Sequence, residues 1–284
     1  MIFIGLQKRF GLNDDEQVSE LSQLLRLSDL RICYQSQHAV VDGVNLTLNQ
    51  GQIMTVVGES GSGKSTLLRG ICGLLPSGGK IVSGDIQFDG KSLIGLKPKA
   101  RRALLARDMA MIFQDTRQMM NPLRTIGSQL VEYICAHTSV SKREAWEMGV
   151  EQLAALALKS PENLMHRYPF ELSGGQLQRF GIGLALLFKP RLLLADEPTS
   201  ALDVTTQAQI VQLLLQLREQ QQASLLLVTH HLGMALYLSD IIVVMQHGKV
   251  VEVGHRDQLL HEPNHPYTRH LLKAVPRIEG RRYS

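Results

Sequence analysis

The segment GESGSGKST, residues 58–66, spaces glycines between small hydroxyl side chains and places Lys64 directly after the last glycine. An apolar run, IMTVV, precedes it and a helical pattern follows, which is the context in which such a segment binds phosphate. The glycines let the backbone wrap closely, so that its N–H groups and the helix N-terminus face a β-phosphate. Lys64 would neutralise β- and γ-phosphate charge, and the Ser65 hydroxyl would bind Mg²⁺. The simpler alternative is a glycine-rich turn.

An ATP site is therefore predicted around this segment. Its predicted residues are Gly58, Glu59, Ser60, Gly61, Ser62, Gly63, Lys64, Ser65 and Thr66. Tyr34 lies before a loop that leads into the predicted core sheet, where its ring could stack on adenine, an interaction worth about 1 to 3 kcal/mol. Most tyrosines are packing residues, and this is the alternative for Tyr34.

Two acidic residues end a second apolar run, RLLLADEP. Asp196, at the tip of a strand, could hold Mg²⁺ through water, and the adjacent Glu197 could polarise an attacking water molecule. The alternative is an acidic turn at a strand end, which Pro198 would also explain.

Two neutral polar residues end two further apolar runs: Gln114 follows MAMIF, and His230 follows SLLLVT. If these strands flank the one before residue 58, both side chains lie near a γ-phosphate. Gln114 could then bind Mg²⁺ and orient water, and His230 could hydrogen-bond the phosphate and the water. Either residue alone is more often a satisfied polar group. The predicted catalytic residues are Glu197, His230 and Gln114, and the predicted Mg²⁺ ligands are Ser65, Gln114 and Asp196.

The elements that must position these residues follow from hydrophobic patterning. The four apolar runs IMTVV, MAMIF, LLLA and SLLLV predict parallel strands buried on both faces, with functional groups at their carboxyl ends. Alternation between Leu27 and Leu48 predicts antiparallel strands, and IIVVM with KVVEVG predicts a hairpin across His247 and Gly248. The stretch 115–171 is mainly helical, which predicts an inserted helical subdomain.

The domain organisation expected from these patterns has three parts. Residues 1–25 form an N-terminal extension, which we expect to be poorly ordered. Residues 26–276 form the globular domain, and residues 277–284 form a basic tail.

Composition narrows the class of protein. In 284 residues with 44% hydrophobic content, no apolar run reaches the roughly 18 residues of a membrane-spanning helix, and the first residues lack the pattern of an export signal. Three cysteines without paired spacing predict buried thiols in a reducing compartment. The net charge of +4 is too small to indicate nucleic-acid binding. Most of the ten histidines lie in the last quarter without tight ligand spacing, so surface positions are expected.

The segment LSGGQ, residues 172–176, continued by LQRFGIGLALLFKPRLLLADEPTSALD, resembles the signature region of ABC ATPases. The order of motifs over about residues 27–260 is similar to that family's full set. The resemblance implies an α/β P-loop ABC ATPase fold, with a mostly parallel core sheet, an antiparallel β subdomain and an inserted helical subdomain. Ser173 and the following glycines offer N–H donors at a helix start, a second anion site.

The family likewise implies that two subunits sandwich two nucleotides head to tail. The residues that would contact the nucleotide of the opposite subunit are Ser173, Gly174, Gly175 and Gln176, and Asp203 would link the two sites. His231 departs from the family pattern, which usually has Asp after the switch histidine. A long N-terminal extension is the second departure.

Two further segments resemble import ATPases for peptides and nickel: QMMNPLRTIGSQL near the start of the helical stretch, and HEPNHPYTRHLLKAVP near the end of the chain. YPFELSGGQLQR and the absence of cysteine after Cys135 resemble the nickel import D-type subunit, so nickel or a metal chelate is the expected cargo, with dipeptides or oligopeptides as the alternative. The resemblance implies two membrane permeases, a second paralogous ATPase, a substrate-binding protein, no nucleic acid, and a peripheral place on the cytoplasmic face of the bacterial inner membrane.

Two other classes of function stay open at this stage. A soluble ABC protein acting on ribosomes or DNA would usually carry tandem cassettes or long coiled-coil insertions, and the sequence shows neither. A non-hydrolytic regulatory subunit would be indicated by loss of the catalytic Glu or His, and both Glu197 and His230 are present.

Overall fold

The computed structural model describes residues 22–34, 38–156, 158–200 and 202–274, which contain two β-sheets, ten α-helices and two short 3₁₀ helices, Thr116–Met119 and Pro169–Glu171. The strands are β1 (Gln23–Cys33), β2 (Ala39–Asn49), β3 (Ile53–Val57), β4 (Lys80–Phe88), β5 (Lys91–Ser92), β6 (Met109–Ile112), β7 (Leu192–Asp196), β8 (Ser224–Thr229), β9 (Ile241–Gln246) and β10 (Lys249–His255). The helices are α1 (Lys64–Cys72), α2 (Pro98–Arg107), α3 (Ile126–His137), α4 (Lys142–Ala155), α5 (Pro161–Met165), α6 (Gly174–Leu186), α7 (Val204–Gln221), α8 (Leu232–Leu238), α9 (Arg256–His261) and α10 (Pro266–Lys273).

The core sheet has the strand order β10-β9-β3-β8-β7-β6 and is parallel except for β10. Every residue of β3, β7 and β8 is buried, which explains why these strands read as continuous apolar runs. The prediction of a mostly parallel core sheet is confirmed. Because β6, β7 and β8 run in the same direction as β3, the residues that follow all four strands lie along one edge.

The second sheet is antiparallel, with the order β2-β1-β4-β5. Its first strand begins at Gln23, earlier than the alternation predicts, and Leu24 and Leu25 are both buried, so the predicted boundary at residue 26 falls inside β1. Asp29 has a positive φ of 44°, and the β1–β2 register shifts between Leu27 and Leu30. The register also shifts between Gln23 and Leu25, where two adjacent leucines are buried, so the start of the strand lacks the period-two pattern.

Helix α1 lies between the two sheets. Its apolar side chains Leu67, Leu68 and Ile71 are buried in one cluster with residues of both sheets, and Gly70 faces the side chain of Ile32 so closely that an added Cβ would lie 2.5 Å from its Cδ1. The helix is therefore fixed from both sides, and with it the loop that precedes it.

Helices α3, α4 and α5 form the helical subdomain, inside the range 115–171 predicted for it. Thr125 caps α3, and Ser141 with Glu144 forms a capping box at the start of α4. Their apolar faces share one cluster with α6 and with the β7 and β8 residues on that side of the core sheet.

The chain ends in the predicted hairpin followed by two short helices. His247 and Gly248 have φ values of 48° and 81°, the left-handed pair that a two-residue hairpin turn needs. The predicted extension lies outside the described residues up to position 21, and the predicted tail 277–284 lies outside them entirely. Within the described ranges, no helix combines the length and apolarity needed to span a membrane.

Candidate nucleotide-binding and hydrolysis site

Residues 58–63 form the turn between β3 and α1, and residues 64–66 begin the helix, which is the predicted context. Gly58 and Gly63 have φ values of 158° and 100°. A Cβ added to Gly58 would lie 2.2 Å from the carbonyl oxygen of Met245, and a Cβ added to Gly63 would lie 2.4 Å from the carbonyl oxygen of Val40. No other residue fits these two positions. Gly61, with φ of 81°, has no atom within 4 Å of such a Cβ, so the loop backbone is open on that side.

Lys64 is buried, and its ammonium group is held inside this loop. Its Nζ donates to the carbonyl oxygens of Gly58 at 2.8 Å and Glu59 at 2.7 Å, and lies 3.3 Å from the Ser62 hydroxyl. Burial lowers the pKa of Lys64, and the carboxylates of Glu197, Asp196 and Glu59 oppose that shift. The buried cation is thus compensated by acceptors that a phosphate could replace.

The Ser65 hydroxyl donates to Oδ1 of Asp196 at 2.7 Å, which joins the start of α1 to the end of β7. Burial raises the pKa of Asp196, while the hydrogen bond from Ser65 and the positive charges of Arg69 and Lys64 counteract the shift. A hydroxyl and a carboxylate side by side are the oxygen ligands that Mg²⁺ prefers, so these two residues fit the predicted metal site.

Glu197 brings the predicted catalytic residues together. Its Oε1 lies 3.0 Å from Nδ1 of His230, and its Oε2 accepts a hydrogen bond of 3.4 Å from Nε2 of Gln114. The backbone of Glu197 has a positive φ of 45°, and its N–H donates to Val228, so the strained residue is tied to the neighbouring strand. Three side chains from the ends of three adjacent strands therefore converge, as the parallel sheet predicts.

Tyr34 follows β1 and is half-buried, and a Cβ at Gly79 would lie 2.9 Å from its ring. Residues 35–37 of the loop that follows lie outside the described part of the chain. The contact with Gly79 is compatible with the packing alternative, and the adenine-stacking role of Tyr34 stays a prediction.

The signature residues lie at the start of α6, as predicted. Ser173 is the cap: its hydroxyl accepts from the backbone N–H of Gln176 at 3.2 Å, and the Gln176 side chain accepts from the N–H of Ser173 at 2.9 Å. Gly174 and Gly175 lie in the first turn of the helix. Among the described residues, no hydrogen bond or ion pair joins residues 173–176 to residues 58–66.

Asp203 caps α7 and lies next to the signature. Its carboxylate accepts from the N–H of Thr206 at 3.0 Å and from the Thr206 hydroxyl at 2.7 Å, and these hydrogen bonds lower the pKa of Asp203. A Cβ on Gly175 would lie 3.0 Å from Cγ2 of Thr206. Thr206 thus connects Asp203 with the signature turn of the same chain.

Sequence reasoning missed Gln178, a buried residue of α6. Its side chain accepts from the Thr116 hydroxyl at 2.9 Å and donates to the carbonyl oxygens of Phe113 at 3.2 Å and Pro198 at 3.1 Å. Gln178 therefore joins the signature helix to the segments that carry Gln114 and Glu197. The sequence signal was its place in LQRFG directly after the signature, where a glutamine on an apolar helix face needs partners.

Sequence reasoning also missed Tyr267 of α10, although it noted the segment HPYT. The Tyr267 hydroxyl accepts a hydrogen bond of 3.0 Å from the backbone N–H of Glu59. A residue near the end of the chain thus contacts the loop at 58–66. Among the described residues, no group of three or more His, Cys, Asp or Glu side chains is arranged to hold a metal ion.

Comparison with known proteins identifies the family. The family described as "ABC transporter" matches residues 41–200, more than half of the chain. The chain belongs to this family. It is accordingly an ATP-binding protein and an ATPase coupled to transport. A second family, described as "Oligopeptide/dipeptide transporter, C-terminal region", matches residues 251–283, which include Tyr267.

Two relatives of this ABC ATPase carry transport names. It is 44% identical over 260 residues to the peptidoglycan transport ATP-binding protein YejF of Agrobacterium fabrum, over 90% of this chain and 48% of that protein. It is 41% identical over 242 residues to the dipeptide transport ATP-binding protein DppD of Haemophilus influenzae, over 85% of this chain and 73% of that protein. The chain therefore spans less than half of the length of the first relative.

A solved structure confirms the ABC ATPase fold. The dimeric structure of a post-hydrolysis state of the ATP-binding cassette MJ0796, bound to ADP and Pi, superposes with a TM-score of 0.73 at 27% sequence identity, over 82% of this chain and 99% of that chain. The predicted combination of a parallel core sheet, an antiparallel sheet and helices is the shared architecture.

Proposed function

We propose that this ABC ATPase drives the import of peptides through separate membrane permeases. The observation that carries the proposal is the match of residues 251–283 to the C-terminal region of oligopeptide and dipeptide transporters, in a chain whose catalytic candidates converge on Glu197. The relatives named above concern peptidoglycan and dipeptides. They favour the peptide alternative over the nickel expectation.

In the proposed reaction, residues 58–66 bind the phosphates of ATP. The backbone N–H groups around Gly61 and at the start of α1 face the β-phosphate. Lys64 keeps the Gly58 carbonyl as an acceptor and exchanges the Glu59 carbonyl for phosphate oxygens. Ser65 and Asp196 would hold Mg²⁺, which when bound supplies positive charge between the β- and γ-phosphate oxygens.

Glu197 would accept a proton from the water that attacks the γ-phosphate. Gln114 and His230 contact the two oxygens of the same carboxylate, so they fix its direction before ATP arrives. His230 is more than half exposed, which leaves its ring accessible to a γ-phosphate oxygen.

A complete site needs a second subunit in this proposal. The side-chain hydrogen bonds of the signature turn stay within residues 173–176, and among the described residues the N–H groups of Gly174 and Gly175 have no partner, so they are available to an anion from another chain. The similar MJ0796 cassette is dimeric with nucleotide products bound. We extend this arrangement to a head-to-tail pair with a paralogous ATPase, in which Asp203 connects the two nucleotides.

The permease contact would lie at the start of the helical subdomain. Met119, Leu123 and Phe170 are 55%, 84% and 68% exposed, and the backbone hydrogen bond from Ile126 to Arg167 holds their segments together. Exposed apolar groups of this size mark interaction sites. Because Gln178 binds the chain on both sides of Gln114, movement at this surface reaches the hydrolysis site. The complex would also include a substrate-binding protein, with this subunit peripheral on the cytoplasmic face of the inner membrane.

The cargo is tested by uptake of a labelled dipeptide, a labelled oligopeptide and radioactive nickel. Cells would carry either the wild-type chain, Glu197→Gln, or the exposed control Glu219→Gln at the normal chromosomal locus. We expect Glu197→Gln to abolish peptide uptake and leave nickel uptake intact, with the control unchanged. Loss of nickel uptake alone would support nickel as the cargo instead. If neither peptide uptake nor nickel uptake is lost, the result contradicts import of these cargos.

A further inference from the structure

The peptide group between Gly58 and Glu59 is hydrogen-bonded at both edges. Its carbonyl oxygen, on Gly58, accepts from Nζ of Lys64 at 2.8 Å, and its N–H, on Glu59, donates to the hydroxyl of Tyr267 at 3.0 Å. A peptide group is planar and rotates as a unit, so its orientation is fixed by both partners together. Tyr267 and Lys64 are therefore connected through one rigid group.

Tyr267 is itself held in place by two kinds of contact. Its ring is buried in a cluster with Val57, the last residue of β3, and with Val244 of the adjacent β9. Its helix is anchored upstream, where the Glu252 carboxylate accepts from the N–H groups of Asn264 and His265 at 2.7 and 3.0 Å. Glu252 belongs to β10, so the tyrosine and the loop at 58–66 are both attached to the core sheet.

The hydroxyl of Tyr267 stays protonated, and therefore neutral, at neutral pH. Burial raises the pKa of Tyr267, and the hydrogen bond from Glu59 only partly offsets this shift. A neutral hydroxyl accepts from the Glu59 N–H and polarises the peptide, which makes the Gly58 carbonyl a better acceptor for the Lys64 ammonium.

We infer that Tyr267 is a positioning residue for the phosphates of ATP, acting through the Gly58–Glu59 peptide group and Lys64. The HPYT segment of the C-terminal region is then part of the nucleotide site. This inference rests on the proposed role of residues 58–66 in binding phosphate. Without the hydroxyl, the peptide group is held only by Lys64, and Lys64 loses a fixed acceptor that sets its position.

The test is the pair Tyr267→Phe and Tyr237→Phe, each in the full chain. The first removes one buried hydroxyl and keeps the ring. The second removes a hydroxyl from an exposed tyrosine of α8 that contacts Gln212 at 3.5 Å. The hydroxyl should strengthen the binding of ATP and of the transition state equally. We therefore expect Tyr267→Phe to raise the Kd for ATP about three- to tenfold, which corresponds to the loss of one hydrogen bond. In the assembled transporter, KM for ATP rises and kcat stays near wild type. Tyr237→Phe should match wild type in both.

A purely structural role for Tyr267 predicts a different result. Packing by the ring alone leaves the Kd of Tyr267→Phe at the wild-type value, and that result would overturn the inference. Hydrogen–deuterium exchange provides a second measurement: a peptide covering residues 58–63 should exchange faster in Tyr267→Phe and not in Tyr237→Phe.

A double-mutant cycle with Lys64→Ala separates this inference from the site assignment. If Tyr267 acts through Lys64, adding Tyr267→Phe to Lys64→Ala changes the Kd for ATP no further. Additive effects would contradict the route through Lys64. An unchanged Kd in Lys64→Ala alone would instead refute the assignment of residues 58–66 as the phosphate site.

Discussion

The Nδ1 atom of His230 lies 3.0 Å from the Oε1 atom of Glu197, at the ends of neighbouring strands β8 and β7. The proposed role of Glu197 as a base requires an ionised carboxylate, which can only accept hydrogen bonds, so that role places the proton of this contact on Nδ1. The Nε2 atom of the ring is then left for a phosphate oxygen or water. With Gln114 donating to the other oxygen, Glu197 is oriented by two donors before nucleotide binds.

The first prediction concerns the proton acceptor. In Glu197→Gln, an amide of nearly the same shape replaces the carboxylate but cannot take the proton of water. We expect turnover by the assembled transporter to fall at least about 100-fold, the lower range for loss of a general base, while ATP stays bound. ATP hydrolysis and retention of labelled ATP measure the two effects. Glu219→Gln, on the exposed face of α7, should behave as wild type. A Glu197→Gln protein with wild-type turnover would exclude Glu197 as the base.

The second prediction separates stability from metal binding at Asp196. Burial raises the pKa of Asp196 in the folded protein above its unfolded value, so the folded state loses stability as the pH rises past the unfolded pKa, and this loss is present at neutral pH. Asp196→Asn removes that charge and should make the nucleotide-free protein at least as stable in urea unfolding. The same substitution removes the proposed Mg²⁺ ligand, so addition of Mg²⁺ should no longer strengthen ATP binding. If Mg²⁺ strengthens binding equally in both proteins, Asp196 is not part of the metal site.

Local patterns in the sequence were enough for much of the fold and of the site. Strands β3, β7 and β8 are buried on both faces, which demands unbroken apolar runs, and such runs are visible without a structure. Once these strands are parallel neighbours, the meeting of Gln114, Glu197 and His230 follows from topology. The start of β1 was not predicted because the register shifts between Gln23 and Leu25, and the two adjacent buried leucines break the alternation that identifies a strand.

Contacts between distant parts of the chain could not be predicted in this way. Tyr267 contacts a residue 208 positions earlier, and Gln178 contacts one 62 positions earlier. Neither contact leaves a periodic pattern, because each depends on how separate elements pack. Sequence reasoning found the segments in which both residues lie and not the partners that give them a role.

The third prediction concerns His231, where the family usually has Asp. His231 caps α8: its Nδ1 accepts from the backbone N–H of Met234 at 3.0 Å, the contact that an Asp side chain commonly makes. His231→Asp should therefore preserve both stability and turnover. His231→Ala should lower the free energy of unfolding by about 0.5 to 2 kcal/mol, the usual cost of losing a cap. Urea unfolding with turnover in parallel checks this, and equal stability of the Ala and Asp variants would show that the cap contributes nothing.

The last prediction tests Gln178 as the connection between the signature helix and the hydrolysis site. Gln178→Met keeps the length of the side chain and removes its hydrogen bonds, which leaves the Phe113 and Pro198 carbonyls and the Thr116 hydroxyl without their partner. Each buried polar group left unpaired costs about 1 to 3 kcal/mol, and the losses overlap, so we expect a decrease of about 2 to 4 kcal/mol in the free energy of unfolding.

The effect of Gln178→Met on function should differ from the effect of a general loss of stability. Because the loops carrying Gln114 and Glu197 are no longer tied to α6, ATP hydrolysis in the assembled transporter should respond less to transported substrate, while the Kd for ATP stays near wild type. Gln216→Met, on the exposed face of α7, is the matched control and should leave stability, affinity and stimulation unchanged. If Gln178→Met loses stability yet keeps full stimulation by substrate, Gln178 stabilises the fold without transmitting movement between the two sites.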